Sequence, residues 1–84
     1  MKHASHASLD SIETILTAIR ELPGLRERKR GAFYRKSSGF LHFHEDPLGM
    51  FADLKAGADF VRFPVNSPKE IATFLREARK AAKS

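Results

Sequence analysis

Cysteine is absent from the 84-residue chain, which excludes disulfide staples, thiol nucleophiles and cysteine-ligated zinc or iron–sulfur centres together. Long apolar runs are also missing. Nowhere do about eighteen apolar residues follow one another, and the opening eight residues, MKHASHAS, are polar where a secretory signal would be apolar. A cytoplasmic protein without a membrane segment is therefore expected. The chain has only five glycines, and none falls into the spacing of a phosphate-binding loop or a dinucleotide fingerprint. Ser37 and Ser38 precede Gly39 and His42, but no strained elbow frames them and a turn explains them better than a nucleophile. No catalytic residue, enzyme activity or cofactor is implied.

A chain of this length makes one domain, residues 1–84, and buries about 60–65% of its unfolded surface around one modest core. At roughly 0.05–0.15 kcal/mol per residue its stability is about 4–13 kcal/mol, so two or three buried aromatics decide whether it folds. Fifteen Lys and Arg against ten Asp and Glu leave a formal charge of +5, which makes an acidic partner such as nucleic acid conceivable. Part of that excess lies near the C-terminus, where it complements a helix dipole.

Residues 1–7 lack periodicity and read as a flexible tail, with Ser8 or Ser11 as the cap of the first helix. Leu9, Ile12, Ile15, Leu16, Ile19 and Leu22 recur three or four apart and predict one amphipathic helix, ended by Pro23-Gly24. Residues 25–31 are highly charged and read as a connector or a short helical turn. Residues 32–36 and 40–44 form a predicted hairpin around Ser37-Ser38-Gly39, residues 50–54 a third strand, and residues 60–65 a fourth candidate, which Pro64 confines to an edge or to the end of pairing. Asn66-Ser67-Pro68-Lys69-Glu70 is a helix start: Ser67 as cap, Pro68 at the first helical position, Glu70 three residues after the cap. Ile71, Phe74, Leu75, Ala78 and Ala82 are the apolar stripe of that last helix. The expected fold is α+β, an antiparallel sheet of three or four strands with an N-terminal and a C-terminal helix on one face.

Phe40-Leu41-His42-Phe43-His44 alternates apolar and polar residues, and the pairing of its hairpin decides which side chains are neighbours. Setting His44 opposite Phe51 and His42 opposite Asp53 gathers Leu41, Phe43, Met50, Ala52 and Leu54 on one apolar face. The other register buries Asp53 without a partner and is disfavoured.

The segment Leu22-Pro23-Gly24-Leu25-Arg26-Glu27, the sheet that includes Phe40 to His44 and Met50 to Lys55, and the closing helix resemble small bacterial proteins of the MmcQ/YjbR type. The resemblance covers about two thirds of the chain. It implies an α+β fold without an established enzyme activity, for which DNA binding has been suggested, and no family binding residue maps onto this chain.

Three constellations could carry function. The first is a mixed sheet face of Tyr34, Phe40, His42, His44, Phe51, Asp53 and Arg62, suited to a small ligand or to a second copy of the chain in a homodimer. The second is the basic set Arg26, Arg28, Lys29, Arg30, Arg35 and Lys36 beside Tyr34, which could follow a phosphate backbone. The third is the pair His42 and His44, whose spacing sets two imidazoles on one side of a strand, as metal ligands require, if Glu45, Asp46 or Asp53 supplies a third. A binding protein acting through the sheet face is the leading expectation, with nucleic acid and then metal as alternatives.

Overall fold

In the computed structural model, which describes residues 2–83, the chain runs β1 (Lys2–His3), α1 (His6–Asp10), α2 (Glu13–Arg20), β2 (Leu25–Lys29), β3 (Ala32–Arg35), β4 (Ser38–Asp46), β5 (Gly49–Ala56), β6 (Asp59–Pro64) and α3 (Pro68–Lys83). The fold is α+β. Five strands form an antiparallel sheet in the order β2-β3-β4-β5-β6, and the two-residue β1 adds to β4 beyond the end of β3. The sheet is thus one strand wider than expected, before β1 is counted.

The extra strand is β2. Leu25, Glu27 and their neighbours pair with β3, Leu25 opposite Arg35 and Glu27 opposite Phe33, where the charge density of residues 25–31 suggested a connector. The strand is an edge, and charged side chains are what keeps an edge from pairing with another chain. Period-two alternation is present in it: Leu25 and Glu27 are partly buried while Arg26 and Arg28 are exposed. Glu27 faces α2, where its carboxylate accepts from Arg20 Nε at 2.6 Å and Nη2 at 3.1 Å, and from the Gly31 N–H at 3.0 Å. One carboxylate therefore fastens the helix to the strand and closes the turn after it. The Arg20 guanidinium holds the Glu27 carboxyl below its ordinary pKa, against the opposing effect of burial.

The N-terminal residues are also more ordered than a tail. The Ala4 N–H donates to the Phe43 carbonyl at 3.2 Å, Ala4 is buried, and the Ser5 N–H donates to Glu45 Oε1 at 2.6 Å. Ser5, three residues before Ser8, is the cap of α1. The single predicted helix is two: Ser11 Oγ donates to the Ser8 carbonyl at 2.6 Å, a local bond that competes with the helix ladder, and Ile12 leaves helical geometry at φ −120° before α2 begins. The apolar stripe survives the step, since Leu9, Ile12, Ile15, Leu16 and Ile19 are all buried. Met1 of the expected tail lies outside the described residues.

The β4–β5 register is His42 opposite Asp53 and His44 opposite Phe51, as the burial argument requires. Leu41, Phe43, Ala52 and Leu54 are accordingly buried on the inner face, where α2 and α3 pack. Phe74 of α3 fills the centre, its ring edge-on to Phe43 at 5.9 Å and tilted against Phe63 at 5.8 Å. The start of α3 is capped as its sequence suggests: the Glu70 N–H donates to Ser67 Oγ at 3.2 Å, while the Glu70 carboxylate reaches back to the Asn66 N–H at 2.9 Å. Asn66 also pairs both polar groups of Met50, accepting its N–H at 2.7 Å and donating to its carbonyl at 3.0 Å, so its amide prolongs the sheet past β6.

Phe74→Ala is expected to destabilise the protein by about 3–5 kcal/mol, a large part of its total, measured as a lowered urea midpoint. Glu27→Ala should cost about 1–3 kcal/mol by the same measurement, because it leaves the Gly31 N–H without its acceptor and Arg20 with Glu13 alone; an unchanged midpoint would show that the α2–β2 fastening contributes nothing.

Candidate functional site

Alternation along the strands determines what the sheet turns away from its helices. With Leu41 and Phe43 inward, β4 presents His42 and His44 outward; with Ala52 and Leu54 inward, β5 presents Phe51 and Asp53. Tyr34 on β3, Arg26 and Arg28 on β2, and Phe60 and Arg62 on β6 share this outer face through the pairings Arg26–Tyr34 and Asp53–Arg62. The large apolar side chains of the core lie on the other side. Six of the seven side chains expected on the outer face are there.

Phe40 is the exception, at 3% exposure. Pairing shifts between Phe33 opposite Leu41 and Tyr34 opposite Gly39, so Phe40 is the extra residue of a β-bulge. A bulged residue breaks the two-residue period, and the Phe40 ring turns into the core. Gly39 follows from the same irregularity: a side chain there would bring its Cβ within 3.0 Å of His42 Nε2 and 3.9 Å of Phe60 Cζ. The glycine leaves room over bare backbone for the His42 ring, while Phe60 would stay at ordinary contact distance.

The rings form a continuous path across the sheet. The Arg28 guanidinium carbon lies 5.2 Å from the Tyr34 ring centre, within cation–π range. Tyr34 meets His42 edge-on at 6.1 Å, and His42 meets Phe60 at 5.8 Å, so the path crosses from β2 through β3 and β4 to β6. His44 flanks it, 6.4 Å from His42. Phe60 is 47% exposed, a large apolar ring held at the surface by its neighbours.

Beside the rings, Asp53 anchors a charged triplet. Its oxygens accept from Arg62 Nε at 2.8 Å and Nη2 at 3.0 Å, and Oδ2 lies 3.0 Å from His44 Nε2. The Arg62 guanidinium holds the Asp53 carboxyl below its ordinary pKa, with smaller contributions from His44 and His42 and against the effect of burial. Both carboxylate oxygens are thus engaged. Among the described residues no group of three or more His, Cys, Asp or Glu side chains is placed to hold a metal ion.

The predicted basic cluster is divided by the fold. Arg26 and Arg28 stand on the outer face, and Lys29 and Lys36 are exposed. Arg30 turns instead to the helices, donating to Asp10 at 2.7 Å, Glu13 at 2.8 Å and the His6 carbonyl at 3.2 Å. Arg35 donates to the Ala81 carbonyl of α3 at 2.9 Å. These two arginines hold the fold together and leave the cluster. Phe60, absent from the expected set, joins the face; its alternation with Arg62 was the signal, obscured because β6 is short of buried residues and ends in Pro64.

Comparison with protein-family models, with curated proteins and with solved structures returns no match. Among the described residues no helix is long and apolar enough to cross a membrane.

The Asp53 pKa is lower in the folded chain than in the unfolded one. Its contribution to stability is therefore complete above about pH 4, the ordinary carboxylate value, and disappears as the pH falls through the lowered value. Asp53→Asn should lower the urea midpoint at pH 7 and flatten part of its decline between about pH 4 and pH 2. Parallel pH profiles for the two proteins would contradict this.

Proposed function

We propose that this chain is a binding module for single-stranded nucleic acid, with the outer face of its sheet as the platform. The observation that carries this reading is the path Arg28–Tyr34–His42–Phe60, a run of one cation and three rings on a face away from the helices. Unpaired bases stack on exposed rings at about 1–3 kcal/mol per base, and every base has such a surface, so recognition of this kind tolerates many sequences. Arg26 and Arg28 border the rings and supply positive charge for phosphates, while Arg62 beside them is paired with Asp53. The platform is a sheet, and among the described residues no helix projects from it to enter a duplex groove, so a single strand suits it better.

A second copy of the chain is the competing occupant. In a two-fold arrangement it would bring these arginines toward their own counterparts, and the carboxylates on this face are Asp53, which Arg62 already engages, and Asp46 at the end of β4. Nucleic acid meets the same charges with the opposite sign.

Tyr34 is the sole tyrosine and the chain has no tryptophan, so tyrosine emission reads the platform directly. Titration with short oligo-dT and oligo-U should quench that emission. Two phosphate contacts, at Arg26 and Arg28, give a log–log salt slope of about −1.4. Phe60→Ala should weaken binding about 5- to 150-fold, while Arg79→Ala, on the exposed side of α3, should leave it unchanged. No quenching at low salt overturns the proposal; sedimentation that instead shows a dimer dissociated by Phe60→Ala assigns the face to self-association.

A further inference from the structure

A concavity lies on the helix-covered side of the sheet, where the ends of the β3–β4 and β5–β6 hairpins meet the last turns of α3. It has a volume of about 830 Å³ and is lined by both hairpin ends and by Glu77, Lys80 and Ala81. That is within the roughly 300–1,000 Å³ range of small-molecule sites. Its floor is apolar: Phe40, Leu54, Val61 and Phe63. Phe40 belongs to it only because the bulge turns that ring inward, and Val61, on the inward side of β6 opposite Leu54, is still 43% exposed. An inward-facing valine left uncovered marks the place where α3 stops shielding the sheet.

The charges around this floor have one dominant sign. Among the described residues Arg35, Lys36 and Lys80 line it, with Lys55 at its border, against one carboxylate, Glu77, and that carboxylate lies 3.7 Å from Arg76 and 3.8 Å from Lys80. The carbonyl end of α3 would add negative character, but the Arg35 guanidinium donates to the Ala81 carbonyl at 2.9 Å and offsets it there. An apolar floor open at Val61 and part of Phe63, inside a cationic rim, complements a molecule with an apolar body and an anionic head. We infer that the groove between the hairpin ends and α3 binds a small amphipathic organic anion, of which a medium-chain alkyl carboxylate is the simplest form. The tail lies along Val61 and Phe63, above the buried Phe40 ring, and the head is received by the lysines at the rim. The site is separate from the ring path of the outer face and does not depend on it.

The experiment is a titration of the full-length, ¹⁵N-labelled protein with octanoate, decanoate and decanol, each below its aggregation concentration, followed by amide shifts. Decanoate is expected to move the amides of Lys36, Gly57, Val61 and Ala81 while leaving those of Arg28 and His44 in place. Each added methylene should tighten binding about two- to fourfold, and decanol, with the same tail and no charge, should bind about tenfold more weakly. Lys36→Glu, an exposed turn residue, should weaken decanoate binding and leave decanol unaffected. Val61→Asp should abolish both; because that variant alters the floor itself, Lys36→Glu supplies the independent check on a surface position. Shifts scattered over the whole surface, absence of shifts, or equal affinity for decanoate and decanol would overturn the inference. An oligonucleotide titration of the same sample moves outer-face amides or none, so the two sites succeed or fail separately.

Discussion

The fold depends on the two-sidedness of β4. Leu41 and Phe43 point into the core with essentially no exposure, while His42 and His44, one residue away from each, point outward. Pairing on both sides locks this arrangement: β3 and β1 share one edge of the strand and β5 takes the other. A slip of one residue would exchange the faces, placing imidazoles against Phe74 and phenyl rings in water. Burial of Leu41 and Phe43 against Phe74 therefore fixes the outer face as firmly as it fixes the core.

Charge is distributed by the same geometry. A chain with +5 net charge could have carried one diffuse cationic surface, but neighbouring basic residues go to different tasks. Arg20 and Arg30 clasp Glu27, Glu13 and Asp10 and bind α1 and α2 to the β2–β3 hairpin. Arg62 is neutralised by Asp53. Arg26 and Arg28 stand outward beside Tyr34, and Lys36 and Lys80 border the groove under α3. Strand parity separates Arg28 from Arg35, and with it the face that stacks rings from the groove that shelters an apolar floor. The charged edge strand β2 also protects the sheet from further pairing.

Much of this was legible from residues alone. The β4–β5 register followed from the penalty of burying Asp53, and the start of α3 from the order Ser67, Pro68, Glu70. The apolar stripe from Leu9 to Ile19 was correct as a buried set even though Ser11 divides the helix. Where local pattern misled, a partner distant in sequence was the reason. Residues 25–29 are too charged to look like a strand until Arg20 satisfies Glu27 and β3 supplies the ladder. Residues 2–5 have no periodicity of their own and take their order from Phe43 and Glu45. Phe40 obeys the alternation of its neighbours on paper, and only the bulge opposite Phe33 and Tyr34 shows that it does not.

The amino-acid sequence by itself determined the class of fold, the two faces of β4 and the limits of the chemistry: no thiol, no phosphate loop, one modest core. These properties come from composition and from periods of two and 3.6 residues, which are local features of the backbone. Tertiary structure alone decided which outward residues became neighbours, because the approach of Tyr34, His42 and Phe60 depends on strand order and on a glycine under the His42 ring. It also decided that Phe40 would leave that face and floor a groove on the other side. Such placements arise from pairing between strands far apart in the chain, and no local pattern encodes them.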